Sequence, residues 1–377
     1  MRQHPRITAC VLAGITLLLY AFHVSAVPLT TEESAFNNRA QSLRAGTPPL
    51  FFHLREEHWL QPIGVYANAA VRAIGGDDVS GRIASVVVGA INVALVFLIA
   101  HLLTGRGLVG IFAAAILMFT PAHWSIAQLG SDAIFPVPLV LLWLWGSLCF
   151  FKFDRGLPVA AAVLGLSVYS HPSGPLTAVF LWMLTLIVAR RRNPARLVVS
   201  TLTFGVAWLP AAAWFYRHPE TYADTFGRWF VFAAHLRNPI QGLLAFFNLN
   251  TLGTRAALYW NFWDPSWLFF RDGNTPAPLL MIAAPFIVIG LYRCVKLVSR
   301  ESAAIVIGAL AIVPLAGATF LVLHYIPDAA SVLPILALLA GLGLDQLIAL
   351  VARRPLEDGV NVGAVEGWNS DDLMPRS

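Results

Sequence analysis

Residues 83–103 are IASVVVGAINVALVFLIAHLL, an apolar run without a single Asp, Glu, Lys or Arg. A helix needs about 20 apolar residues to cross the hydrocarbon core of a bilayer, and this run has that length. The rest of the chain has a similar character, because 58% of its 377 residues are hydrophobic and only 12% are charged. Soluble domains contain about 25% charged residues. The run therefore predicts a membrane-spanning helix in an integral membrane protein.

Nine more apolar segments accompany this run, and together they predict an all-α polytopic membrane protein of about ten transmembrane helices. Two of the segments are short, so they could instead form one broken pair around the turn at His171 and Pro172. We expect one membrane domain over residues 1–354 and a short, disordered cytoplasmic tail at 355–377. The predicted spans are residues 7–26, 79–103, 107–124, 133–151, 157–170, 174–189, 198–216, 278–295, 302–323 and 330–351.

The distribution of basic residues among the loops predicts the orientation. Of the 25 Lys and Arg residues, 15 fall at the two ends of the chain and in alternate short loops, which the positive-inside rule assigns to the cytoplasm. The long loops 27–78 and 217–277 are then outside, and both termini are cytoplasmic. The net charge of +5 follows from this topology and indicates no nucleic-acid surface. The N-terminus also resembles a secretory signal that ends at Val24-Ser25-Ala26, although an uncleaved span agrees better with the loop charges.

The first outer loop contains two apolar stripes at helical spacing, which predict amphipathic helices at the membrane interface. These stripes are Phe36, Ala40 and Leu43, and then Trp59, Ile63, Tyr66, Ala70 and Ile74. The cysteines Cys10, Cys149 and Cys294 fall within predicted spans, so they indicate neither a disulfide nor a metal site.

Ionisable residues concentrate on the predicted outer side, which carries 12 of the 20 acids and 8 of the 10 histidines. This bias favours an active site there. Glu32, Glu33 and Asp132 are the candidate catalytic carboxylates, because each lies beside a predicted span at the outer membrane level. Structural explanations compete with this hypothesis: Thr30 to Glu33 matches a capping box, and Asp132 could cap a helix.

Three cationic or titratable side chains are candidates for binding a lipid phosphate. Arg255 and Arg271 lie in the second outer loop, where a guanidinium could bind a phosphate in a bidentate manner. His171 lies at an outer turn, where a solvated histidine is the alternative, and Arg271 could simply pair with Asp272. Further along, the His324, Tyr325 and Asp328 group is predicted to anchor a span end at the interface.

Several short motifs occur in an order that resembles glycosyltransferase family 39, the relatives of the protein O-mannosyltransferases, which have the GT-C membrane fold. The similar stretches are Glu32-Glu33-Ser34-Ala35-Phe36, Pro48-Pro49-Leu50, Trp59-Leu60-Gln61-Pro62-Ile63, Gly81-Arg82-Ile83-Ala84-Ser85, Thr120-Pro121-Ala122-His123 with Ser131-Asp132, and Trp263 to Asp272. The resemblance covers about residues 5–350. It places Glu32 where the family has its catalytic aspartate, Glu33 at the acidic neighbour and Asp132 at the second acid.

The resemblance implies transfer of a sugar from a polyprenyl-phosphate donor to a hydroxyl of a protein, lipid or glycan acceptor at the outer face, with inversion. No cofactor is implied as a requirement, although Glu32 and Asp132 are compatible with a divalent metal. The chain departs from the family at Glu32, which is one methylene longer than aspartate, and at Phe36, which lacks the family's tyrosine hydroxyl. A transporter of lipid-linked saccharides is the alternative, but it needs polar residues within the spans, and there Asp345 and His101 stand nearly alone. An inactive scaffold is the second alternative. The expected location is the bacterial inner membrane.

Overall fold

The computed structural model describes residues 4–22, 24, 28–43, 49–53, 59–75, 79–218, 221, 249–270, 277–319 and 326–352. The predicted disordered tail at 355–377 lies outside these residues. The described chain forms fifteen α-helices, one two-stranded hairpin and two 3-10 turns. The helices are α1 Pro5–Ala21, α2 Thr31–Ser42, α3 Pro62–Ala73, α4 Ser80–Thr104, α5 Gly107–Met118, α6 Pro121–Ala127, α7 Pro136–Phe153, α8 Leu157–Gly165, α9 Gly174–Ala189, α10 Pro194–Arg217, α11 Leu249–Phe262, α12 Pro265–Phe269, α13 Ala283–Leu297, α14 Arg300–Thr319 and α15 Val332–Val351.

Each predicted span corresponds to helical structure, so the all-α polytopic prediction is confirmed. Within the described ranges, the five helices α4, α7, α10, α14 and α15 are long and apolar enough to cross a membrane, and counting α5 with α6 gives six. Three shorter apolar helices lie at Pro5–Ala21, Leu157–Tyr169 and Gly174–Ala189. The last two are separate helices on either side of the turn at His171, and α13 begins five residues later than the predicted start at 278.

The third predicted span is bent by 66° between α5 and α6. Pro121 causes the break because it has no backbone N–H to continue the helix. Other segments satisfy the freed backbone groups: the Tyr20 hydroxyl donates to the Met118 carbonyl at 2.8 Å, and the Ala122 amide donates to Pro278. Tyr20 also bonds the buried His123, which faces Asn92. The expectation that Asp345 and His101 stand nearly alone among polar groups in the spans was therefore incomplete.

The two predicted interface helices are present as α2 and α3. In α2, Phe36 and Ala40 are buried, as the stripe predicted. In α3 the side that faces the bundle is formed by Gly64, Val65 and Asn68, while Tyr66, Ala70 and Ile74 of the predicted stripe are exposed, Ile74 by 87%. An exposed apolar stripe is what a helix needs to lie against lipid. The stripe's first member, Trp59, belongs instead to a short antiparallel hairpin of β1 Phe52–His53 and β2 Trp59–Leu60.

Contacts between loops confirm which of them share a face of the bundle. Arg106 and Arg293 both bond the buried Asp345. Arg192 pairs with Glu301 and Arg196 pairs with Asp154. The four arginines were assigned to the cytoplasmic side from charge alone. Their contacts place them at one end of the bundle, whereas the direction of that end relative to the membrane stays a prediction.

Candidate active site

A buried ion pair between Glu33 and Arg82 organises the opposite end of the bundle. The Arg82 guanidinium binds Glu33 in a bidentate manner, with Nε 2.6 Å from Oε1 and Nη2 2.8 Å from Oε2. It also donates to the backbone carbonyls of Val24 and Pro28. One side chain at the start of α4 therefore holds Glu33 and the backbone of Val24 and Pro28, because the planar guanidinium has donors for several acceptors at once.

Glu33 also closes the predicted capping box of α2. The Thr30 hydroxyl accepts from the Glu33 amide at 3.2 Å, and Glu33 Oε2 accepts from the Thr30 amide at 2.8 Å. Its Oε1 additionally accepts from the Gly130 amide at 2.8 Å. Burial alone raises the pKa of Glu33, but these hydrogen bonds and the Arg82 charge outweigh it and lower the pKa to about 2. The predicted capping box is confirmed, and it leaves this carboxylate ionised with both oxygens occupied.

Two glycines let the backbones approach closely enough for this arrangement. A Cβ on Gly130 would lie 3.2 Å from the Arg82 amide nitrogen and 3.4 Å from Glu33 Oε1. A Cβ on Gly81 would lie 3.4 Å from the Gly130 Cα and 3.0 Å from Asn68. The loop before α7 therefore lies directly on the start of α4, because neither glycine carries a side chain.

Glu32 differs from its neighbour in its exposure. It lies in the first turn of α2, as Glu33 does, but its side chain is exposed on the outside of that turn. The two adjacent acids point to different sides because successive helix residues are about 100° apart. Of the predicted pair, Glu32 is the one that a substrate can reach.

Asp132, His171 and Asp328 form a second, buried cluster at the same end. His171 Nε2 lies 3.7 Å from Asp132 Oδ1, and His171 Nδ1 lies 3.8 Å from Asp328 Oδ1. Each residue is at most 8% exposed. The alternative of a solvated turn histidine was therefore wrong, because the turn at His171 is packed under the 3-10 turn Pro327–Ala329. The alternative of a helix cap at Asp132 was also wrong, because α7 begins at Pro136 with Phe135 as its cap.

The hydrogen bonds around His171 identify its proton-bearing nitrogen. The Ser173 amide donates to Nδ1 at 3.2 Å, which is the arrangement of a neutral imidazole with its hydrogen on Nε2. This N–H lies on the side of Asp132. Asp132 is two positions after Gly130, whose amide donates to Glu33. A short loop therefore connects the Asp132–His171 pair to the Glu33–Arg82 ion pair.

Tyr169 connects this cluster to the C-terminal half of α10. Its hydroxyl donates to the Ala207 carbonyl at 2.9 Å and accepts from the Ala211 amide at 3.0 Å. A side chain that inserts into the hydrogen-bond ladder of a helix in this way bends it, and Pro210 in the same turn has no N–H to donate. Because Tyr169 is two residues from His171, the shape of α10 and the position of the imidazole depend on the same turn.

The structure describes one of the two predicted phosphate-binding arginines. Arg255 is buried on α11, which packs against α14, and α14 in turn packs against the 3-10 turn that carries Asp328. Burial lowers the pKa of Arg255. Arg271 lies outside the described residues.

Two residues of this region had no functional role in the sequence analysis. Arg82 was quoted only as part of a motif, yet a charge at the start of an apolar span is itself an indication of function. Asp328 was interpreted as an interface anchor, because nothing along the chain indicates that it faces His171. Among the residues that the structure describes, no group of three His, Cys, Asp or Glu is arranged to hold a metal ion.

The fold is similar to those of solved membrane enzymes. No protein-family model and no curated protein matches the chain. ArnT from Cupriavidus metallidurans bound to undecaprenyl phosphate matches 91% of this chain and 63% of its own, with 14% identity and a TM-score of 0.58. The archaeal oligosaccharyltransferase AglB from Archaeoglobus fulgidus, in complex with an inhibitory peptide and a dolichol-phosphate, matches 93% of this chain and 51% of its own, with 14% identity and a TM-score of 0.56. The chain therefore spans less than two thirds of the length of either protein.

These matches define the class: the chain is an integral membrane protein with the GT-C fold. The GT-C part of the predicted resemblance is confirmed at the level of fold. Membership of glycosyltransferase family 39 stays a prediction, because neither match at 14% identity extends beyond the fold.

Proposed function

We propose that the protein is a membrane glycosyltransferase that moves a sugar from a polyprenyl-phosphate donor to an acceptor hydroxyl at the outer face, with inversion. The main supporting observation is the convergence of an accessible carboxylate and a buried carboxylate–imidazole cluster at one end of a GT-C bundle. The two similar solved structures contain undecaprenyl phosphate and a dolichol-phosphate, which supports a polyprenyl-phosphate carrier. The sugar is a hexose or pentose, the membrane is the bacterial inner membrane, and both termini are cytoplasmic.

Glu32 is the proposed general base. It is exposed at the end of the bundle where the other acids gather, whereas Glu33 is held by Arg82, Thr30 and Gly130 and has a pKa of about 2. A carboxylate whose lone pairs are occupied by donors, and whose pKa is that low, is a poor proton acceptor. Glu33 therefore serves to position the first turn of α2, and Glu32 takes the proton from the acceptor hydroxyl.

In the proposed reaction, the acceptor oxygen attacks the anomeric carbon as its proton passes to Glu32. The bond between the anomeric carbon and the phosphate oxygen breaks, and the polyprenyl phosphate leaves with the electron pair. Asp132 stabilises the positive charge that develops on the sugar ring, and His171, with Asp328 behind it, holds Asp132 in place. This leaving group needs charge stabilisation rather than protonation.

Arg255 and Arg271 are the proposed partners of the leaving phosphate, because a guanidinium matches phosphate geometry. His171 was the third candidate for this role. Its Nε2–H group already faces Asp132 at 3.7 Å, so a phosphate would have to compete with a carboxylate for it. No step proposed here uses a metal ion, and we expect turnover to persist in EDTA.

The test is sugar transfer from radiolabelled polyprenyl-phosphate sugars by the full-length protein in detergent. We expect Glu32→Gln to lower turnover at least about 100-fold, the typical contribution of a general base, while donor binding is unchanged. Glu301→Gln is the matched control, because Glu301 is a partly exposed acid that pairs with Arg192 at the other end of the bundle. Donor binding without turnover in the wild type would contradict the proposal and favour a carrier of lipid-linked saccharides.

A further inference from the structure

A pocket of about 370 Å³ opens beside α2, and the proposed reaction does not use it. It lies between α2, the β1–β2 hairpin and the outer end of α10. Its volume falls within the range of about 300–1,000 Å³ that is usual for small-molecule sites. A site of this size has room for a specific ligand.

Aromatic rings form the apolar wall of this pocket. Phe51 and Phe52 are buried at 0% and 3% exposure, and Trp59 and Trp214 complete the wall. The Trp214 ring lies 6.1 Å from Phe51 and 6.4 Å from Trp59, centroid to centroid. Contacts with one another and with Tyr169 hold these rings in place, so the wall is rigid before any ligand arrives.

Hydrogen-bonding groups form the other edge of the pocket. Arg39, Ser42, His53 and His218 line it, and no Asp or Glu is among the described residues that do so. Among the residues that the structure describes, the Arg39 guanidinium has no carboxylate partner. Its five N–H groups are therefore available to oxygen atoms of a ligand.

The position of the pocket relates it to Glu32. Arg39 is seven residues after Glu32 on α2, which places it two turns and about 10 Å along the same face of the helix. A molecule that follows this face can present a hydroxyl to Glu32 at one end and occupy the pocket at the other. This separation matches a short oligosaccharide.

We propose that the pocket binds a saccharide unit of the acceptor, one or two residues away from the sugar that is modified. A pyranose has an apolar C–H face, whose partial positive charge is attracted to the face of an aromatic ring, and a rim of hydroxyls that needs donors and acceptors. Rings on one side and Arg39, Ser42 and His218 on the other match these two surfaces. A polyprenyl tail would match only the rings. The identification of the saccharide as an acceptor rests on the proposed function, whereas its binding does not.

The experiment measures saccharide binding by the full-length protein in nanodiscs, by saturation transfer difference NMR. The probes are neutral and amino-sugar di- to tetrasaccharides. We expect at least one probe to bind, and Arg39→Gln and Trp214→Ala to weaken that binding at least tenfold. Trp260→Ala is the matched control, because Trp260 is 69% exposed on α11, and it leaves binding unchanged. Ser42→Ala, at an exposed position, tests the polar edge with little risk to folding and weakens binding several-fold.

Three results would overturn the inference: no probe binds the wild type, the pocket variants bind as well as the control, or undecaprenyl phosphate displaces the saccharide. The last result would assign the pocket to the lipid. Glu32→Gln distinguishes this inference from the proposed function, because it abolishes transfer and leaves saccharide binding intact. Binding without transfer in the wild type would contradict the proposed enzyme and leave the saccharide site standing.

Discussion

The two ends of the bundle both bury ionised groups, but they differ in how the charges are balanced. At the predicted cytoplasmic end, Asp345 receives hydrogen bonds from Arg106 and Arg293 and is enclosed by them. At the other end, Glu33 pairs with Arg82. Asp132 and Asp328 at this end both face the imidazole of His171.

This difference shows that burial of a charge does not by itself indicate a functional site. Buried ion pairs also fix which segments meet, and Asp345 does so for three separate elements. Chemistry needs groups whose partners do not saturate them, since these groups can still bind or release a proton or stabilise a charge. The cluster at Asp132 and Asp328 is built around an imidazole, a side chain that can exchange protons, whereas the Asp345 cluster is built on two arginines, which stay charged.

The largest expected effect comes from removing Arg82. Arg82→Ala leaves the Glu33 carboxylate buried without its partner, which typically costs about 3–5 kcal/mol. We expect the thermal unfolding midpoint in detergent to fall by many degrees. Arg192→Ala is the control at the other end, because its pair with Glu301 is largely exposed and worth at most about 1 kcal/mol. Equal effects of the two substitutions would show that the buried Glu33–Arg82 pair contributes no more to stability than an exposed pair.

The next effect concerns pH. Glu33 has its pKa lowered from 4.5 to about 2, so its ionised form stabilises the fold above pH 4.5, and this contribution is lost as the pH falls towards 2. The shift corresponds to up to about 3 kcal/mol. We expect the unfolding midpoint of the wild type to fall over this window by more than that of Glu33→Gln. Parallel curves would show that the ion pair does not hold the pKa of Glu33 down.

Activity provides a third comparison between the two ends. We expect Asp132→Asn to lower sugar transfer by about 100-fold while the protein stays folded, because a neutral amide stabilises developing positive charge poorly. Asp345→Asn should lower the unfolding midpoint and leave the turnover of the folded protein unchanged. The measurements are single-turnover transfer and thermal unfolding of both variants. A loss of turnover in Asp345→Asn alone would reverse our assignment of the two clusters.

The smallest predicted effect tests the close backbone approach. A methyl group at Gly130 would meet backbone atoms of Gly81 and Arg82 at 3.2–3.3 Å, so we expect Gly130→Ala to destabilise the fold by about 1–2 kcal/mol. Gly14→Ala in α1, where a Cβ meets nothing within 4 Å, is the control and is neutral or slightly stabilising. The measurement is thermal unfolding. If the two variants behaved alike, the loop before α7 would not depend on this contact.

Much of the fold followed from composition alone. A span needs about 20 apolar residues, and such runs are visible without knowledge of any contact. The break at Thr120-Pro121 was not predicted: proline interrupts helices, but residues 107–124 were interpreted as one continuous span. The hairpin at Phe52 and Trp59 was not predictable, because two-residue strands leave no periodic pattern. The buried face of α3 was not predictable either, because Gly64 and Asn68 are not apolar.

Individual residues of the candidate site were predicted from the sequence, but the contacts between them were not. The location of Glu33 and Asp132 at the same end of the bundle followed from topology, and the capping box followed from local spacing. The partnership of His171 with Asp132 and Asp328 depends on contacts between segments about 40 and 160 residues apart in the chain. No local rule encodes such contacts. The same holds for Arg82, whose partner is 49 positions earlier.

The hydroxyl of Tyr169 gives the molecule a natural reporter. The Ala211 amide of α10 donates to this hydroxyl, which belongs to the turn before His171. Exchange of the Ala211 amide hydrogen with deuterated solvent therefore requires that turn to separate from α10. Most helical amides exchange when their own helix opens. An exchange rate at Ala211 that differs from its neighbours would therefore record movement of the turn that carries His171, without a label or a substitution near the site.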